Sequence, residues 1–539
     1  MYFIKMLRQA ALGIAGFFSV PFGKKVEKSL SKIIDNKASI YDSKPSQQQL
    51  NSLLKYYQTG RYVDAERLSL SITEEFPEHQ FAWKVLAAVL KKTGRISESL
   101  IASQKSVQLE PQNGEAHYNL GVLLKELGRL DEAEISYGQA IALKPDFAEA
   151  HNNLGNTLQQ LERFDVAEIS YGQAIALKPD YVEAHYNLAV MLQQLERFDE
   201  AEISYGQAIA LKPDYAEAHN NLGATLKQMG RLEEAMSTIT KAIELNPHLP
   251  ESRKNLAELL TSYAPQEEVS HPIVKVNQEI KKNYLNEKTS GIISDDKIIQ
   301  LFDKSTSIIK RCDLKIETDL SQVYRSNSIN LNCNRHMKVF NKHNIIPKFC
   351  FGCYKVLVEP RSILELIKLF VVFDQIKLVE NNIRKCMIEM RPKISGFYKG
   401  YIFCSSLEEA YQMADYLEIF VKENIGSGLH AVVKRGCSEY PLSFPDYKAI
   451  NKSGGQLMNY NEDWKSIEED YDSLNSIKSS KIITPHLSGL NLQDVLIIRN
   501  WIDYAKGIGD PSVHLLNQNT VFSPKIYKTA KTRIEKYPW

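Results

Sequence analysis

Six prolines, Pro77, Pro111, Pro145, Pro179, Pro213 and Pro247, follow one another at intervals of 34 residues. Between them the stretch AEISYGQAIALKPD occurs three times unchanged, at 133–146, 167–180 and 201–214. One such period is too short to bury a core of its own. Each must cover the apolar face of the next, so a fixed period of this length dictates a stacked array.

Within a period the side chains mark two helices. In the unit beginning at Gly114, Leu120, Leu123, Leu124 and Leu127 fall on one face of a first helix, and Ala133, Tyr137, Ala140 and Ile141 line a second. Small residues at Gly121, Ala133 and Ala140 permit close helix packing, and Pro145 cannot continue the helix before it. The pattern in the second unit is Trp83, Leu86, Ala87, Leu90, Gly94 and Pro111; in the third it is Leu120, Gly121, Leu124, Gly128, Leu130, Ala133, Tyr137, Ala140 and Pro145. On these residues, 46–263 resembles an array of six tetratricopeptide repeats with a closing helix. The resemblance implies an all-α superhelix that binds protein or peptide in its concave groove.

Two departures from the pattern carry an expected energetic cost. Glu162 and Glu196 stand where Gly60, Gly94, Gly128 and Gly230 mark the turn, and a left-handed turn there would cost up to about 1 kcal/mol. Gly138, Gly172 and Gly206 fall inside helices, at roughly 0.5–1 kcal/mol each relative to alanine.

The first helices also carry a row of amides: Asn119, Asn153, Asn187, Asn221 and Asn255 recur in register, preceded by Tyr118, Asn152, Tyr186 and Asn220. An amide both donates and accepts, which suits the backbone of an extended peptide. This row and the phrases EAHYNLG and EAHNNLG are similar to the repeats of O-linked N-acetylglucosamine transferases, which implies a peptide-modifying enzyme or its accessory subunit as an alternative to a scaffold. The competing structural reading is that the asparagines bond within and between repeats. His117, His151, His185 and His219 take the usual Trp position and are read as packing residues, not as a metal ladder.

Beyond Tyr263 the period stops. Residues 264–330 read as a helical linker, with helices around Val274–Asn283 and Asp295–Lys310. Within 331–440, KVLVE, KCMIEM, GYIFC and HAVVK read as strands and RSILELIKLFVVFDQI and SLEEAYQMADYLEIFVKENI as helices. That order, β-α-β-β-α-β, implies an α+β domain with a ferredoxin-like core. KGYIFCSS partly resembles the third-strand motif of RNA-recognition modules, with Tyr401 and Phe403 on one face; nucleic-acid binding is therefore a further alternative, against a strand packed on both faces. Residues 441–539 form an extension ending in Lys525, Lys528, Lys531 and Arg533, expected on a solvated helix face.

All seven cysteines lie in this half. Cys333 and His336, then Cys350 and Cys353, have the spacing of a zinc site, with Cys437 as a substitute ligand; thiol redox chemistry and plain burial are the other readings. No nucleophile motif, phosphate-binding glycine loop or HExxH is present, so catalysis has no sequence support. With 24% charged residues and a formal charge of +1, the chain has no global bias toward nucleic acid or membrane. Residues 1–45 are an amphipathic segment and linker; the apolar run ending at Phe22 is too short for a confident span but suits membrane association. The expected location is cytoplasmic and reducing, with a membrane-proximal alternative.

Overall fold

The computed structural model describes residues 44–265, 270–285, 291–314, 316–325, 331, 333–378, 382–392, 394–450, 457–474, 484–516 and 520–536. The amphipathic reading of 1–22 lies outside them. No helix of the described residues is long and apolar enough to cross a membrane. The chain divides into two compact units, residues 1–187 and 188–539.

The first unit consists of helical hairpins: α1 (Gln47–Gln58) with α2 (Tyr62–Glu75), α3 (Gln80–Lys92) with α4 (Ile96–Leu109), α5 (Gly114–Glu126) with α6 (Leu130–Leu143), α7 (Ala148–Gln160) with α8 (Phe164–Leu177), and then the start of α9 (Val182–Gln194). Ser46 and Gln49 cap α1 reciprocally, and Asn113 caps α5 through the Ala116 amide. Tyr137 and Tyr171 are fully buried against the small residues facing them: a Cβ on Gly121 or Gly155 would lie 2.8 Å or 2.7 Å from the ring. The repeating side chain at the Trp position ties each hairpin to the turn before it. Trp83 Nε1 donates to the Pro77 carbonyl at 2.8 Å, and His117 and His151 Nε2 lie 2.9 Å and 3.2 Å from those of Pro111 and Pro145. The rings answer carbonyls that no helix would satisfy.

Turn geometry follows the period regardless of the residue occupying it. Gly60, Gly94 and Gly128 have φ of 73°, 79° and 73°, and Glu162 is held at 58° in the same place. Gly138 and Gly172, by contrast, meet nothing within 4 Å, so close helix contact does not require them.

The second unit holds the rest of α9, then α10 (Phe198–Leu211), α11 (Ala216–Gln228), α12 (Leu232–Leu245) and α13 (Pro250–Leu259), followed by α14 (Pro272–Leu285) and α15 (Asp295–Arg311). Then come β1 (Gln322–Arg325), α16 (Cys333–His343), β2 (Tyr354–Val358), α17 (Ile363–Gln375), β3 (Arg384–Ile388), β4 (Tyr398–Cys404), α18 (Leu407–Asn424) and β5 (Ala431–Arg435). The chain ends with α19 (Trp464–Leu474), α20 (Leu492–Ile508) and α21 (Pro524–Lys536). The strands form an antiparallel sheet in the order β1-β3-β4-β2-β5.

One hydrophobic core runs from Leu226 and Leu256 through Val274 and Ile309 to the sheet, and on to Trp501 and Ala530. Strand alternation sends Val356, Val358, Cys386, Ile388 and Ile402 into that core. Gly400 lets α17 approach: a Cβ there would stand 2.3 Å from Leu369. A buried polar network ties distant segments together. Arg325 pairs with Asp374 at 2.5 Å and Asp494 at 2.9 Å and donates to the Gly489 carbonyl, while Tyr284 donates to Asp374 at 2.9 Å.

The basic end departs from the sequence expectation. Lys525, Lys528 and Lys531 are exposed, but Arg533 is buried and donates to the carbonyls of Glu389, Ile394 and Gly396. A guanidinium with its fork of donors closes the carbonyls at the β3–β4 turn, which charge counting along one helix does not reveal.

Candidate functional site

The amide row is assembled by a hydrogen bond repeated at a spacing of 35 residues. Asn153 Nδ2 donates to Tyr118 OH at 2.9 Å and Asn187 Nδ2 to Asn152 Oδ1 at 3.0 Å; further along, Asn255 Nδ2 donates to Asn220 Oδ1 at 2.9 Å. Each amide thus binds the preceding position of the preceding repeat. Asn152 and Asn220 are buried at 4% exposure, and Asn220 also donates to Asn221. Tyr186 is half-buried, like Asn153, Asn187, Asn221 and Asn255. Asn119 is exposed and, among the described residues, its side chain has no partner. The Oδ1 atoms of Asn153 and Asn187 likewise carry no further bond among the described residues, so the row is partly structural and partly open.

The two cysteine pairs lie on separate elements. Among the described residues no group of three or more His, Cys, Asp or Glu side chains could hold a metal ion. Cys333 and His336 lie on α16, where the buried His336 ring stacks on Phe349 at 5.1 Å. Burial, and then the charge of Arg335, hold that imidazole down to about 4. Cys350 sits in a 3-10 turn with its sulfur 3.3 Å from Tyr440 OH, and Cys353 is buried beside Gly436. Cys437, the substitute ligand, lies beside Cys350, and that neighbouring sulfur holds its thiol below the usual range.

The sheet face turned away from the hydrophobic core has its own chemistry. Register places Tyr324, Lys385, Tyr401 and Leu357 in one row across β1, β3, β4 and β2, with Phe403 and Lys355 in the next. Tyr401 and Phe403 do share a face, their rings 6.3 Å apart. Tyr401, however, is only 6% exposed, and the Lys355 ammonium covers its ring at 4.7 Å. Above this floor lies a cleft of about 630 Å³, walled by Cys333, Met337, Arg391 and the segment around Cys437 and Glu439. Burial, followed by the charges of Lys355 and Arg391, brings the Lys385 ammonium down to about 8.

Family models described as TPR repeat match residues 123–162 and 191–230, and those described as tetratricopeptide repeat match 102–135, 148–181 and 216–249. The hairpins are tetratricopeptide repeats. No curated protein matches the chain. Solved structures similar to it include YrrB, described as a TPR protein with an unusual peptide-binding site, at 22% identity and TM-score 0.30, covering 34% of this chain and 95% of that one. MamA is similar at 25% identity and TM-score 0.29, covering 30% and 95%. PilF of Pseudomonas aeruginosa is similar at 20% identity and TM-score 0.36, covering 39% and 96%.

The tetratricopeptide array also carries a feature that sequence reasoning passed over. Ile101, Ile135 and Ile169, at one position of successive second helices, are 66%, 65% and 65% exposed. The same repeat alignment that exposes the amides would have revealed them, since this position lies outside the packed stripe of Ala133, Tyr137 and Ala140.

Proposed function

We propose that the chain is a protein-interaction scaffold whose tetratricopeptide array holds an extended peptide along the amide row. Tetratricopeptide repeats as a class support the scaffold role. The observation that carries the peptide reading is the combination at Asn119, Asn153 and Asn187 of one unpartnered amide and two partly used ones. An extended backbone offers an N–H and a C=O at each residue, and amides answer both. The C-terminal core is read as ferredoxin-like: the order β3-β4-β2-β5, with α17 and α18 as crossovers, supports that assignment. RNA stacking has less support, because Tyr401 is 6% exposed and covered by the Lys355 ammonium.

Selection from a displayed peptide library against the full chain tests the reading. A selected peptide should bind Asn119→Ala about tenfold more weakly while the variant unfolds at the same temperature, since that side chain bonds to nothing else. Undiminished binding to Asn119→Ala, with loss on Ile135→Ser, would move the partner to the isoleucine row and overturn the amide reading.

A further inference from the structure

The cleft over the outer sheet face holds more cations than carboxylates. Five of its charged side chains matter here: Lys355, Lys385 and Arg391 against Glu389 and Glu439. Both carboxylates are taken by Arg391, at 2.8 Å and 2.6 Å, and Glu389 also lies 3.6 Å from the buried Lys399 ammonium. Lys355 is 7% exposed, donates to the Gly436 carbonyl at 2.8 Å and rests on Tyr401. Among the described residues Lys385 has no hydrogen-bond or carboxylate partner and meets only the Tyr324 ring, 5.3 Å away. An ammonium withdrawn from water without a carboxylate in contact is costly, as for the buried Lys355 and in part for the half-buried Lys385, and the two on one floor repel each other as well. An alternating strand could have placed apolar residues at these positions, as it does on the opposite face.

We infer that this cleft binds a small phosphorylated molecule, with the phosphate between Lys355 and Lys385 and a flat or apolar body against Phe403 and Met387. Three cations against two carboxylates leave a net positive charge among these five side chains, and the several oxygens of a phosphate can accept from both ammonium groups at once. Lysine suits this task as a mobile point charge. The cleft volume lies within the range of small-molecule sites, and its mixture of a few polar groups with aromatic and thioether surface is typical of them. The site is independent of the peptide reading of the repeats.

The test titrates the full chain calorimetrically with inorganic phosphate, adenosine and adenosine 5′-monophosphate at constant ionic strength. Saturable binding of the monophosphate, weaker binding of phosphate and none of adenosine is the expected order. Lys385→Gln should weaken the monophosphate by about tenfold or more, and Lys385→Arg should retain most of the affinity. Lys385 is only half-buried, so these variants are chosen over changes at Lys355, and hydrogen exchange of the β3 amides checks that they fold. The inference is overturned if adenosine binds as well as its monophosphate, if no probe saturates at millimolar concentration, or if Lys385→Gln binds unchanged. It is also overturned if a single-stranded oligonucleotide binds far more tightly with a steep salt slope, which would make the face a strand-binding surface.

Discussion

The repeats of the first unit and the sheet region of the second are stabilised over different distances along the chain. In the hairpins a side chain meets partners within its own period or the next: Tyr171 against Gly155, His151 against Pro145, Asn187 against Asn152. In the sheet region Arg325 meets Asp374 and Asp494, 49 and 169 residues away, and Arg533 closes carbonyls 137 to 144 residues upstream. Local packing distributes stability over equivalent contacts, so a single departure such as Glu162 is absorbed. A buried ion network concentrates it in a few groups that fail together.

The largest expected effect tests that concentration. Arg325→Ala leaves Asp374 and Asp494, both 3% exposed, buried without their cation, and should cost about 3–5 kcal/mol. Urea denaturation followed by hydrogen exchange at the β4 amides measures it; a change no larger than that of a surface substitution would break the comparison. Next comes acid sensitivity. Because His336 is held at about 4 when folded and lies near 6.5 when unfolded, the unfolded chain takes up its proton first as pH falls. Stability is then complete above 6.5 and declines toward 4, by about 2 kcal/mol once solvent screening is discounted, and His336→Phe should remove that decline from the denaturation midpoints. The smallest effect belongs to the repeats and has the opposite sign. Gly138→Ala and Gly172→Ala add a methyl group into open space and should stabilise by about 0.5–1 kcal/mol each, additively, in thermal melts. Strong coupling between the two would show that the array is less modular than its contacts indicate.

Legibility in the sequence followed the same division. The hairpins, their turns and the strand and helix order of 354–435 were all readable, because each rests on spacing of two to four residues or on a period. The strand Gln322–Arg325 was missed, as it is too short to show alternation and is held by pairing with Arg384–Met387. The cysteine spacing did not show that C-x2-H falls on a helix whose His336 turns to Phe349, or that Cys350 lies beside Cys437 and Tyr440. The amide row was visible as a list of positions, but its division between inter-repeat bonds and open groups was not. The lysines of the cleft were not distinguished from surface charge at all, since only the register of three strands brings Lys355, Lys385 and Tyr401 together.

Sequence alone settled that this chain stacks helical hairpins, because a 34-residue period leaves each apolar face nothing to cover it except its neighbour. Tertiary structure alone decided which polar groups remain open. Whether an asparagine, a lysine or an arginine is satisfied depends on partners tens to hundreds of residues away, and hydrogen bonding acts across space without leaving a period in the chain.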